Sequence, residues 1–137
     1  AKQITVADLR AAHFRAIKKL VDFRLIAKSK LRFAHDALFG VGAGCFDELL
    51  ADTTCRVTTI NAAHNPSFGG INPEPIEKNL KELSARVVAE KAMIGVALDG
   101  DAARVGIVDE KGRYHSPCQV FPIVLDSEAI ACTASTR

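Results

Sequence analysis

The sequence lacks most of the features that would mark it at once as a specialised chain. No apolar run approaches the roughly 18 residues that span a bilayer. The opening AKQITVADLR has no apolar signal-peptide core. Neither a membrane span nor a secretory leader is expected. Charge of one sign never accumulates beyond KKL (Lys18–Leu20) and KSKLR (Lys28–Arg32), which read as a solvated face. With a net charge of only +2, no nucleic-acid or membrane partner is expected. The four cysteines, Cys45, Cys55, Cys118 and Cys132, form no C-x-x-C and no Cys/His pair at zinc-finger spacing. Neither a structural zinc nor a disulfide framework is expected, and small, mostly buried thiols in a reducing cytoplasm are. There is no internal repeat and no low-complexity segment.

What remains is ordinary globular material. A length of 137 residues fits one domain. With 48% hydrophobic and 25% charged residues, the chain can bury a core. Residues 5–22 carry Val6, Leu9, His13, Ile17, Leu20 and Val21 at helical spacing, with Thr5 and Asp8 as a variant capping box. Leu31–Ala34 reads as a buried strand, and Gly40, Gly42 and Gly44 as a loop. Phe46–Leu50 reads as a helical turn or two, and Arg56–Ile60 (RVTTI) as a strand. The stretch from Asn61 to Pro75 is a long connection rich in proline and glycine, of the kind that often carries function. A helix is expected from Pro75 to about Lys91, its core face made of Ile76, Leu80, Leu83, Val87 and Val88. Met93–Leu98 and Ala103–Asp109 are strands joined by an acidic turn, and Asp109–Gly112 turns into a further strand at Arg113 and Tyr114. Strand–helix–strand–helix–strand predicts parallel crossovers, and the last strands an antiparallel meander. The fold expected is α/β: a three-layer α/β/α sandwich around a mixed, mainly parallel sheet.

The acidic turn Asp99-Gly100-Asp101-Ala102 follows a strand that ends at the ligand-binding edge of such a sheet. Side chains at i and i+2 share a side in extended chain. Two carboxylates close together repel unless a cation or protons compensate. Mg²⁺, which takes oxygen ligands, would suit them, and Arg104 could grip a phosphate or sugar oxygen. An exposed hairpin turn explains the same residues, since Asp and Gly are common turn formers.

The stretch ALDGDAARVGIVDEKGRYHSP resembles the metal-binding segment of the α-D-phosphohexomutases, the phosphoglucomutase and phosphomannomutase family, with its D-G-D-x-D-R loop and following D-x-x-G. HNPSFGGINPEPIEKNLKEL resembles the family's P-D-x-x-F-x-G-x-x-P-x-P loop and Leu-rich helix. LRFAHDALFGVGAGCFDELL resembles its strand, D-P-x-x-G-x-G loop and helix, with Ala37 where proline is usual. These motifs run in family order from about Ala12 to Leu125.

The resemblance implies the second domain of a four-domain enzyme that moves a phosphoryl group between the 1- and 6-positions of a hexose. That enzyme works through a phosphoserine and Mg²⁺. By position, Asp99 and Asp101 match metal ligands and Arg104 the loop arginine near the active-site phosphate. Ala103 stands where the third loop aspartate is usual, and a methyl group cannot coordinate Mg²⁺, so any ion is expected to be held weakly. The phosphoserine motif T-x-S-H-x-P is missing. The resemblance fades after VFPIVL, so residues 1–125 are assigned to the domain and 126–137 to a polar tail that reads as a free terminus. The chain reads either as a domain cut from a longer enzyme or as a truncated relic.

Three readings follow. One is a mutase domain, inactive alone, whose partners are the missing domains. One is a relic that binds or self-associates through exposed domain faces. The third is a small Mg²⁺-dependent phosphatase, against which Ala103 and the lack of an activated nucleophile argue. Among other residues, His13 reads as part of a helix face, His64 and Asn65 as loop residues, and His115 as a surface residue. His35 and Asp36 fall on opposite faces of a strand and do not make a dyad. Ser67 and Ser116 lack an activating partner, and the glycine spacing does not make a dinucleotide fingerprint.

Overall fold

The computed structural model describes residue 4 and residues 7–135, those from 127 onward by backbone alone. Its sheet has the strand order β2-β1-β3-β4-β5, built from β1 (Arg32–Asp36), β2 (Arg56–Ile60), β3 (Ile94–Leu98), β4 (Val105–Asp109) and β5 (Tyr114–His115). β2, β1 and β3 are parallel, with Asp36 opposite Ile60 on one side and Ala97 on the other. β4 and β5 are antiparallel additions, Leu98 facing Val105 and Val108 facing Tyr114. The mixed sheet with its meander is the architecture expected from the sequence.

Alternation along β1 sorts the two layers of helices. Ala34 points into a cluster with Leu80, Leu83, Val87, Ala97 and Val108, formed where α4 (Lys81–Ala89) lies on the sheet. Close approach there depends on Gly95, where an added Cβ would come within 2.7 Å of Val87. Phe33 and His35 point the other way. Both meet the ring of Phe46 in α3 (Cys45–Leu50) edge-on, at 5.6 and 4.8 Å between centroids.

Several elements differ from expectation. The first helical stretch is split into α1 (Arg10–Leu20) and α2 (Phe23–Lys28) because Val21 is extended and Asp22 caps a new start at Leu25 N–H. The periodic face expected to be buried is not: Leu9 and Leu20 are 73% and 83% exposed, and α1 buries Phe14 instead. Thr5 and Val6 lie outside the described residues. Asp8 binds Arg10 through its backbone N–H (2.9 Å) and guanidinium (2.7 Å). α4 starts later than Pro75, after an extended Ile76 and a short 3₁₀ turn at Glu77–Asn79. The cause is Asn79, whose Nδ2 donates to the carbonyls of Asn72 and Glu74 and pins the loop before it. Val88 is exposed rather than buried. Cys118 is also exposed, against the expectation of buried thiols, and Cys45 and Cys55 are half-buried and free; the side chain of Cys132 lies outside the described residues. α5 (Pro117–Ser135) continues through residues 125 and 126, where the sequence places the domain boundary. Among the described residues no helix is long and apolar enough to cross a membrane.

Candidate functional site

Because β1, β2 and β3 are parallel, the loops leaving Asp36, Ile60 and Leu98 emerge at one edge of the sheet. The chain leaves β1 toward β2 and returns across β1 to β3, so the strand order reverses between β1 and β3. In open α/β sheets that is where ligands bind. Two of these loops meet directly. Val41 N–H donates to the Gly100 carbonyl (3.0 Å). A side chain at Gly40 would sit 2.7 Å from that oxygen and 2.8 Å from the Asp99 carbonyl. Only glycine lets the 37–44 loop lie this close to the acidic turn.

The glycine loop is itself held by Asp36 at the end of β1. Asp36 is fully buried, and its Oδ1 accepts from Leu38 N–H (2.9 Å) and Asn61 Nδ2 (3.0 Å). These bonds support Leu38 and Phe39 in the left-handed region, at φ 43° and 59°. Burial raises the Asp36 pKa, partly offset by those two hydrogen bonds. Its Oδ2 and the Nε2 of His35 have no partner. His35 faces Thr59 and Phe46 on the opposite side of the sheet, so the two are not a dyad. Burial, opposed by Asp47, lowers the His35 pKa.

The acidic turn is not a continued strand. Ala102 N–H donates to the Asp99 carbonyl (3.0 Å), and Ala102 has φ 60°. Asp99 is 3% exposed. Its Oδ1 accepts from Arg104 N–H (2.9 Å) and its Oδ2 from Arg104 Nε (2.8 Å). Burial works to raise its pKa, but the Arg104 backbone and guanidinium outweigh it and hold the carboxyl below the ordinary value. Asp101 is exposed, and its Oδ1 accepts from Ala103 N–H (3.2 Å). Both acids line a shallow cleft of about 550 Å³ with Phe68, Pro73, Ala103 and Arg104.

The proline-rich loop supplies the far wall. Arg104 Nη1 donates to Glu74 Oε1 (2.8 Å), and Asn72 Nδ2 holds the other oxygen of Glu74 (2.8 Å). One guanidinium thus ties two loops together. His64 lines a neighbouring cleft with Phe39 and Phe68, and Asn65 accepts from Ser67 N–H (3.0 Å) as a loop hydrogen bond. Sequence reasoning singled out Asp99, Asp101 and Arg104 but passed over Glu74, Asn79 and Asp36. Glu74 had one available signal, a carboxylate fixed between two prolines.

The residues present do not make a complete divalent-cation site. Among the described residues no three His, Cys, Asp or Glu side chains converge as metal ligands. Asp99 already holds a guanidinium, and Ala103 offers a methyl group.

Residues 11–112 match the family model described as phosphoglucomutase/phosphomannomutase, alpha/beta/alpha domain II. The chain is 37% identical over 120 residues to a phosphoglucomutase/phosphomannomutase of Thermococcus kodakarensis, covering 88% of this chain and 26% of that protein. It is 40% identical over 99 residues to a Methanosarcina acetivorans protein named "Probable phosphoglucosamine mutase", covering 72% and 23%. A solved structure described as a phosphomannomutase from Thermus thermophilus superposes with a TM-score of 0.75 at 37% identity, covering 81% of this chain and 26% of that one. The chain spans about a quarter of the length of these curated relatives.

Proposed function

This chain belongs to the phosphoglucomutase/phosphomannomutase family as its α/β/α domain II, and we propose that it forms the acidic-turn wall of a hexose phosphate phosphotransfer site. The remaining walls and the phosphorylated nucleophile would come from other domains, and the domain alone would be inactive. Phosphoryl transfer needs a positioned nucleophile and charge stabilisation from several groups at once. In this reading Asp99 and Asp101 occupy metal-ligand positions and Arg104 the phosphate-facing position, within a unit of residues 1–125. The observation that carries it is the meeting of three loops at the switch point, with Gly40 packed on the acidic turn and Glu74 on Arg104.

The donor set does not hold Mg²⁺ securely, since the third oxygen is replaced by the Ala103 methyl group. No step is therefore routed through the ion. Arg104 would orient an anionic oxygen, and the glycine and proline loops would keep bulk water from the turn.

Grafting residues 11–112 in place of the matching segment of the Thermococcus relative tests the reading. The graft should show little turnover of glucose 1-phosphate. The same graft with Ala103→Asp should recover at least about tenfold. Equal activity of the two grafts would overturn it.

A second reading, self-association, is favoured by one observation. Phe121, Ile123 and Leu125 of α5 are each more than half exposed, as are Leu20 and Leu25. Exposed apolar surface of that extent marks contact sites. Elution volume falling with rising concentration in size-exclusion chromatography would support it, and a constant monomeric volume would end it.

A further inference from the structure

We infer that Arg104 is the resident cation of the acidic turn, occupying Asp99 where a divalent ion would bind and held there by Glu74. The inference rests on the reading of this turn as a mutase metal loop. Arg104 acts as a gate: a cation reaches Asp99 only when the guanidinium leaves.

The geometry is specific. Asp99 is almost wholly enclosed, and each of its oxygens accepts one hydrogen bond from the same residue, Arg104 N–H at 2.9 Å and Nε at 2.8 Å. Mg²⁺ must replace such donors, because it needs carboxylate oxygens at about 2.0–2.1 Å. The guanidinium cannot swing away freely. Its Nη1 is bonded to Glu74 at 2.8 Å, Glu74 is bonded to Asn72, and Asn79 straps the carbonyls of both residues. A planar fork can serve Asp99 and Glu74 together, which a point charge on a flexible stem cannot. The remaining acid offers little competition. Asp101 is exposed, one of its oxygens caps Ala103 N–H, and no carboxylate stands at 103. Arg104 also balances the Asp99 charge, so the turn has no uncompensated buried carboxylate.

The side chain of Arg104 is 57% exposed, so solvent screens its pairing and the gate is a modest one. The test is Mg²⁺ titration of the intact chain, followed through the backbone amide signals of Asp99, Gly100 and Asp101. The unaltered protein should show no saturation at millimolar Mg²⁺. Arg104→Gln should bind about tenfold more tightly. Arg104→Lys keeps the charge but loses the fork, and should bind about threefold more tightly. If Arg104→Lys titrates like the unaltered protein while Arg104→Gln gains, net charge alone is acting and the gate is overturned. If neither variant gains, the gate is overturned as well. Ala103→Asp in the Arg104→Gln background separates that failure from failure of the underlying reading. Binding by the double variant alone sinks the gate and leaves the metal-loop reading standing, whereas no binding by any variant sinks both. Folding of each variant is checked by the dispersed amide signals of Gly95 and Val108, which lie in the core.

Discussion

β4 is closed at both ends by the same device. At its start, Asp99 accepts from the backbone N–H and the Nε of Arg104 at 2.9 and 2.8 Å. At its end, Asp109 accepts from the backbone N–H and the Nε of Arg113 at 2.9 and 2.7 Å. An aspartate clasping an arginine is therefore, in this molecule, first a way of closing a turn. What separates the two ends is their surroundings. Asp109 adds Lys111 N–H and His115 Nε2 as further partners, all from its own hairpin, around Gly112 at φ 79°. Asp99 is joined by residues distant in sequence: Gly40 presses on its turn, and Glu74 takes the far end of Arg104. A chemical role is argued from that convergence, and the clasp alone would not support one.

Substitutions at two glycines should break the comparison most strongly. At Gly40 a new Cβ would meet three backbone atoms of Asp99 and Gly100 at 2.7–2.8 Å, and backbone cannot rotate aside. Gly40→Ala should destabilise by about 3 kcal/mol, at the upper end for overpacking. At Gly112 the main obstacle is the left-handed φ, so Gly112→Ala should cost about 1 kcal/mol. Urea midpoints of the two variants measure the difference. Equal losses would mean that the glycine loop does not brace the acidic turn.

A smaller contrast lies in the acids themselves at neutral pH. Asp99→Ala removes two hydrogen bonds from an enclosed carboxylate and unties Arg104, and should cost about 2 kcal/mol. Asp109→Ala opens a hairpin whose arginine is 65% exposed, and the loss should be smaller. Thermal melting at pH 7 ranks the pair.

The sheet was legible in the sequence because its signals are local. RVTTI is β-branched throughout its last four residues and forms β2 over the five residues expected, Arg56–Ile60. The apolar run before Asp99 and the D-x-x-G turn likewise predict β3 and the β4–β5 corner. The first helix was misjudged for a different reason. Spacing of Leu9, Ile17 and Leu20 says that a helix has an apolar face, but only tertiary contact decides whether that face is covered. Asp99, Asp101 and Arg104 were legible as a group, yet their pairing was not. The i, i+2 argument assumes extended chain, and Ala102 at φ 60° curls the turn. Glu74 lies thirty positions from Arg104, and no local pattern carries a contact at that separation. Asp36 was visible as a strand residue, while its task of holding Leu38 and Phe39 in the left-handed region depends on Asn61 from the next loop.

The smallest expected effect inverts the ranking of the two acids. Both carboxyls have folded-state pKa values below the ordinary one, so each contributes stability that is complete above about pH 4 and is lost as pH falls toward its folded value. The causes differ. At Asp99 burial is the leading influence and raises the pKa, so the Arg104 contacts win only after opposing it. At Asp109 the Arg113 side chain leads, burial comes second, and the carboxyl is driven well below the usual range. Asp109→Asn should therefore flatten the loss of stability below pH 4 more than Asp99→Asn does, although Asp99 matters more at pH 7. Urea midpoints collected from pH 7 down to the acid limit of folding would reveal the crossing. Added salt should shrink the Asp109 contribution first, because Arg113 is the more exposed of the two arginines. If Asp99 dominated at both pH values, the acidic turn would be the more strongly ion-paired end of β4, and closure of the hairpin would no longer be a fair reference for it.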